Sequence, residues 1–303
     1  MEPNSPSMTA LVSAYARAYH ALYDEPKIFD DHLARRMLTD EQFDAIGGHM
    51  AGGLSFFNPE GAHLYPDPDT ALKWVIQTQI APHILSRSRY AEERLSDAFA
   101  SGAGQYVILG AGYDTFAFRN PEALTVRVYE VDHPATQNAK VNRVGALGWD
   151  IPASLHFVPF DLAKEGLGQA LLASGFDPDV PALYSWLGVV YYLDREEIVR
   201  TLGEVAAISA PGSSIVFDYP DEGIFEEDAP GRVRRMVAMA DAGGEPMRAA
   251  LSRADWADIL ERTGFSILEC LTPAEVESRY FSGRTDAYHA FENIHFAQAK
   301  IRG

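Results

Sequence analysis

A chain of 303 residues can enclose a substantial hydrophobic core, as one large domain or two small ones. Its 47% hydrophobic and 22% charged residues are ordinary for a globular protein, while a formal net charge of −18 excludes the cationic surface that nucleic acid or an anionic membrane demands. The single Cys270 excludes an internal disulfide and a cysteine-based zinc site, and suits a reducing cytoplasm.

Taken in order, Met1-Glu-Pro-Asn-Ser-Pro lacks a basic stretch ahead of an apolar core, and no apolar run is long enough to cross a bilayer, so a soluble, cytoplasmic protein is expected. Residues 8–100 show helical spacing, with loops marked by Gly47-Gly48, Gly52-Gly53, Asn58-Pro59 and Pro66-Asp-Pro68. They predict an amino-terminal helical cap over 1–100. No linker composition separates it from the core over 101–303, so one integrated domain is expected.

From residue 105 the pattern changes to strands alternating with helices. Tyr106 to Leu109, Val126 to Val131, Leu155 to Phe160, Ala182 to Trp186 and Ser214 to Tyr219 are short β-rich runs. Phe265 to Cys270 and Ala290 to Ala299 offer two more, the last antiparallel. The expected fold is α/β: a doubly wound, Rossmann-like, mostly parallel seven-stranded sheet with helices on both faces. Residues 221–251 break the alternation just after the fifth strand, where an inserted lid would hang over the carboxyl edge. Its Met236, Met239 and Met247 fit either core packing or an adaptable pocket wall.

The most informative stretch is Gln105-Tyr-Val-Ile-Leu-Gly110-Ala111-Gly112-Tyr-Asp-Thr115. A buried strand that breaks into Gly-X-Gly lets bare backbone approach a ligand. The dinucleotide fingerprint wants a third glycine where this chain has Thr115, which counts against a bound pyrophosphate. Glu130 and Asp132 lie 20 and 22 residues beyond Gly110, where an acid meets ribose hydroxyls in such folds; two apart on a strand, they share a side. Asp161-Leu162 ends the third strand and is placed to meet an adenine. Trp186-Leu187-Gly188 ends the fourth, at the reacting end.

These residues resemble the leucine carboxyl methyltransferase and tetracenomycin-type O-methyltransferase family of class I S-adenosylmethionine-dependent enzymes. The similarity spans Ala14-Tyr-Ala-Arg-Ala, Ser86-Arg-Ser-Arg-Tyr, Val107-Ile-Leu-Gly-Ala-Gly-Tyr-Asp-Thr, Tyr129-Glu-Val-Asp-His-Pro and the weaker Leu187-Gly-Val-Val-Tyr-Tyr-Leu. It implies S-adenosylmethionine as cofactor, with Arg17 and Arg87 on its methionine carboxylate, Gly110, Ala111 and Gly112 in the first loop, Asp132 on the ribose, and Asp161 and Leu162 at the adenine. It also implies a departure, because Leu187 stands where the family usually carries a glutamate.

Methyl transfer needs a base only for some acceptors. A carboxylic acid with a pKa of roughly 4 is ionised at neutral pH, whereas a phenol near roughly 10 mostly is not. His133, His289 and His295 are the candidate bases, with Tyr191 and Tyr192 on the acceptor side. No metal-ligand spacing stands out, His20, Asp31 and His32 included. The expectation is a methyl transfer to a phenolic or carboxylic oxygen of a small molecule, in secondary metabolism, by a monomer or homodimer. A nicotinamide-dependent oxidoreductase and a non-catalytic binding protein on the same fold are the alternatives.

Overall fold

The computed structural model describes residues 6–120 and 125–302. In its amino-terminal part are α1 (Met8–Tyr23), α2 (Ala34–Met37), α3 (Asp40–Gly52), α4 (Leu54–Phe57) and α5 (Pro68–Val75); a π-helical turn, Ile76–Ile80, then leads into α6 (Ala81–Ala100). Thr39 caps α3 through a reciprocal box with Gln42, and Asp67 caps α5 by accepting from the Thr70 amide.

The alternating part follows as β1 (Gln105–Leu109), α7 (Phe116–Arg119), β2 (Arg127–Asp132), α8 (Pro134–Ala146), β3 (Leu155–Pro159), α9 (Leu167–Ala173), β4 (Ala182–Trp186), α10 (Arg195–Ile208) and β5 (Ser214–Pro220). After α11 (Gly231–Ala242) and α12 (Arg253–Arg262) come β6 (Phe265–Leu271), α13 (Pro273–Val276) and β7 (Ile294–Ile301). One seven-stranded sheet runs β3-β2-β1-β4-β5-β7-β6. Neighbours among β1 to β5 are parallel, and β7 is antiparallel to both β5 and β6. The Rossmann-like sheet and antiparallel last strand expected from the sequence are both present.

All residues of β1, β4 and β5 are buried, as befits strands covered on both faces. The last strand starts later than its composition suggested. Residues 290–293 instead lie outside the strand, with a turn at 292–293 in which Asn293 takes φ 66°, a conformation asparagine tolerates, and its Nδ2 donates to Asp221 Oδ1 at 2.8 Å. Helix α6 packs on β4 and β5, so the final turns of the amino-terminal helices belong to one helical layer of the sheet. From β1 the chain moves outward through β2 and β3, then returns to lay β4 on the other side of β1. This reversal opens a crevice at the carboxyl ends of β1 and β4, where open α/β sheets take ligands.

Candidate functional site

Two adjoining cavities occupy that crevice. The first, about 410 Å³, runs along the strand ends and is lined by Arg17, Gly110, Gly112, Asp132, Asp161 and Leu187 among others. Gly110 takes φ 76° and Gly112 φ 51°, both in the left-handed region. A Cβ on Gly110 would meet Val189 Cγ2 at 2.3 Å, and one on Gly112 would press on Ala10 of α1 at 3.1 Å. The Gly110 and Ala111 amides donate to the Val131 carbonyl at 2.8 and 3.1 Å, so the glycines fold the turn back onto β2 while keeping side chains off the cavity floor.

Asp132 is fixed from both oxygens: the Gly112 amide donates to Oδ2, and the His133 amide donates to Oδ1 at 2.6 Å. Burial raises its pKa, although those two amides favour the anion. Arg17 is 8% exposed; its Nε donates to Asp31 at 2.9 Å and its Nη2 to the Tyr113 carbonyl at 2.8 Å. Nη1 is left as the nitrogen available to a ligand. Burial opposes ionisation of Asp31, but the Arg17 and Arg119 guanidiniums hold its carboxyl below the usual range.

Thr115, in the third-glycine position, is fully buried and donates to Asp31 Oδ1 at 2.6 Å, while Arg119 Nε donates to Thr115 at 3.0 Å. The side chain that breaks the dinucleotide pattern therefore ties the glycine turn to Asp31, and through it to Arg17 of α1. His20 and Asp31 are spent on structure: His20 Nδ1 pairs with Asp24 at 3.0 Å and its Nε2 accepts from the Ile28 amide at 2.7 Å. Asp132, Asp161 and the two arginines thus place hydrogen-bond acceptors and guanidinium donors along one cavity.

The second cavity, about 760 Å³, is lined chiefly by apolar side chains, including Met50 of α3, Phe57 of α4, Ile80, and Met236 and Met239 of α11. Thr9, Ser13, Ile84, Arg87, Gly188 and Tyr192 line both cavities and form their common wall. Arg87 is the wall's polar centre. Its Nη1 donates to Asp218 at 3.1 Å, and Asp218 also accepts from the Gly188 amide and the Tyr191 hydroxyl, both at 2.7 Å. Gly188 takes φ 67°, and a Cβ there would lie 2.4 Å from the Arg87 guanidinium.

Arg17, Arg87, Gly110, Ala111, Gly112, Asp132, Asp161 and Leu162 all line the first cavity, so the structure brings them together. Glu130 does not join them. It is 1% exposed, two residues back from the strand end, and paired with Lys140 of α8. Sharing a strand face with Asp132 was therefore not enough to reach the ligand space, because α8 covers the inner position. Burial pushes the Glu130 pKa up to about 7, against the opposing pull of Lys140.

Among the candidate bases, His133 lines the first cavity and not the apolar one, and its Nδ1 accepts from the Ala135 amide at 3.3 Å as the cap of α8. His289 is exposed and pairs with Glu277, and His295 pairs with Asp221 at 2.9 Å; neither lines either cavity. Tyr191 and Tyr192 do line the apolar cavity. Burial pushes the Tyr191 phenol well up and that of Tyr192 up to about 12, so both keep their protons near neutral pH and neither stands as a phenolate base.

Two residues escaped the sequence reading. Asp218 is fully buried in β5, and the signal for it was an acid inside the hydrophobic run Ile215-Val-Phe-Asp-Tyr219. His83 of α6 lines the apolar cavity, and nothing local distinguished it from the other eight of the chain's 9 histidines.

Residues 10–206 match the family model described as leucine carboxyl methyltransferase. A Bacillus subtilis (strain 168) protein, YktD, named as a candidate S-adenosyl-L-methionine-dependent methyltransferase, is 44% identical over 302 residues, 99% of each chain. A similarly named Mycobacterium avium (strain 104) protein is 36% identical over 233 residues, 77% of this chain and 72% of its own. Among solved structures, a DUF574 family protein from Streptomyces avermitilis MA-4680 aligns with TM-score 0.57 at 15% identity, over 96% of this chain and 97% of its own. With the glycine turn, Asp132, Arg17 and Arg87 already in one cleft, the family and relative matches settle the assignment: the chain belongs to the leucine carboxyl methyltransferase family of S-adenosylmethionine-dependent methyltransferases.

Proposed function

We propose that the protein methylates an oxygen, phenolic or carboxylic, on a predominantly apolar small molecule, in secondary metabolism. The observation that carries this reading is the common wall: a cleft suited to the cofactor adjoins a large chamber of methionine, phenylalanine and isoleucine side chains across Arg87, Gly188 and Tyr192. Bound S-adenosylmethionine supplies an electrophilic methyl carbon on a sulfonium. Arg17 and Arg87 orient the amino-acid end, Asp132 the ribose, and the apolar walls hold the acceptor oxygen in line while keeping water out. Charge and composition favour a cytoplasmic protein, monomer or homodimer, that acts on free small molecules.

Calorimetric titration with S-adenosylhomocysteine checks the cofactor half, and saturable one-to-one binding is expected. For the acceptor half, the protein is incubated with labelled S-adenosylmethionine and panels of phenols, carboxylic acids and amines. Product gaining one methylene in mass from the oxygen acids supports the proposal; transfer to amines alone, or to nothing in the panels and cell extracts, would overturn it.

A further inference from the structure

Away from both cavities, the β7-β6 edge of the sheet gathers a second set of chemically active side chains. Tyr219 of β5 stands opposite His295 of β7, and Cys270 of β6 stands opposite Ala297, two residues along β7 from His295. Residues two apart share a face of a strand, so hydroxyl, imidazole and thiol lie side by side on one face. The Tyr219 and His295 rings stack at 5.2 Å with 16° between their planes, and the Tyr219 hydroxyl lies 3.3 Å from Cys270 Sγ. Past the end of β5, Asp221 holds His295 Nε2 at 2.9 Å and is itself held by Asn293 Nδ2 at 2.8 Å. With Nε2 taken by the acid, His295 Nδ1 is left buried and with no hydrogen bond of its own. Cys270 is half-buried, neither sealed in the core nor free of neighbours. A carboxylate that fixes an imidazole beside a thiol is the arrangement that turns a cysteine into a nucleophile.

We propose that Cys270 is a modification site, a thiolate paired with the His295 imidazolium that exchanges with small organic disulfides and so carries a reversible mixed disulfide. The site stands apart from the methyl donor's cleft and is independent of the reaction carried out there.

In the exchange, the Cys270 sulfur anion attacks one sulfur of the disulfide. A new sulfur–sulfur bond forms as the old one breaks, and the departing thiolate takes the proton of the His295 imidazolium. Cys270 is oxidised, one half of the disulfide is reduced, and a reducing thiol runs the same steps backwards. Among the described residues, the ionisable groups set around the pair are Tyr219 and Asp221 at the end of β5, Arg253 of α12 and Glu275 of α13. Burial raises the thiol pKa, but His295, Tyr219 and Arg253 outweigh it and bring it down. Burial likewise disfavours the imidazolium, yet the sulfur and Asp221 hold its pKa above the ordinary histidine value. The exchange should therefore persist to lower pH than that of an ordinary thiol.

The test treats the full chain with oxidised glutathione at pH 7.0 and follows the gain of one glutathionyl group by intact mass. Cys270 is the single cysteine, so the same chain unfolded in urea is its own reference for an unassisted thiol. The folded protein is expected to react about fivefold faster than the unfolded one, and to slow less when the pH is lowered to 6.0. Dithiothreitol should remove the group. The uncharged hydroxyethyl disulfide should show the same rate advantage, since its origin is the thiol. His295→Gln should abolish most of the advantage and Asp221→Asn, which keeps an acceptor but loses the charge, part of it, with melting temperatures reporting an intact fold. Where His295→Gln does not fold, the folded and unfolded wild-type rates and their pH profiles decide alone. A folded chain that reacts no faster than the unfolded one, a fast reaction untouched by His295→Gln, or an advantage confined to glutathione overturns the inference.

Discussion

His83 is kept neutral by burial and two neighbouring guanidiniums, and this has a consequence for stability. Its folded pKa lies below the unfolded value near 6.5, so below that pH the unfolded chain binds the extra proton. Stability is therefore lost as pH falls through and below 6.5, with a slope of up to ~1.4 kcal/mol per pH unit from this one group. Urea titrations at pH 7.5, 6.5 and 5.5 should show a shallower loss in His83→Gln than in wild type. Cys270 offers a second check. Burial raises its thiol pKa, but His295 and Tyr219 beside the sulfur outweigh burial and lower it, Tyr219 Oη lying 3.3 Å from Sγ. Iodoacetamide should alkylate Cys270 at pH 7.5 faster than it does in His295→Asn. At this scale the sequence showed which charges would share one cavity, since Arg17, Arg87, Asp132 and Asp161 all sit in motifs and all line it. It could not show Asp218, whose partner Arg87 is 131 residues away in the chain, nor His83, whose surroundings come from α11 and the turn before β7.

The secondary-structure elements carry the site through close approaches. At the start of the segment after β4, Gly188 lets the backbone pass against the Arg87 guanidinium. Gly188→Ala would force an L side chain into φ 67° with its Cβ 2.4 Å from Arg87. A cost of roughly 1–3 kcal/mol in stability is expected. S-adenosylhomocysteine affinity should fall about tenfold or more through displacement of Arg87, which calorimetry would read directly. Asp218→Ala removes the carboxylate that holds Arg87, Tyr191 and the Gly188 amide, and leaves a buried guanidinium unpaired. Thermal and urea unfolding should register a loss of about 3–5 kcal/mol. The strands were legible because five short apolar runs, each bounded by turns, can hardly be anything else in a sheet covered on both faces. Less legible were the four-residue α7, the π-helical turn at Ile76–Ile80 and the late start of β7. Each is decided by contacts distant in sequence: Thr115 with Asp31, Gln77 with Asp24, Asn293 with Asp221.

Over the whole molecule, α1 joins the cleft to the rest of the chain. Arg17 reaches Tyr113, Ala10 packs on Gly112, and the Ser7 amide donates to Thr136 of α8 at 3.1 Å. Ligand binding at such a junction stabilises the fold as a unit: S-adenosylhomocysteine at about a hundred times its Kd should add ~2.7 kcal/mol, seen as a single shifted unfolding transition. The order of the pieces was legible in the sequence, and so was Arg17 through its motif, but the packing of Ala10 on Gly112 and the Ser7–Thr136 hydrogen bond that seat α1 against the cleft were not. The two ends of the described chain also differ in a way that matters at the bench. Ser7 lines the first cavity, whereas Ile301 pairs with Phe265 and donates to the Ser213 carbonyl away from it. A substitution at Ser7 therefore touches whatever the cleft binds, whereas one at Ile301 is felt only where β6 and β7 close the sheet.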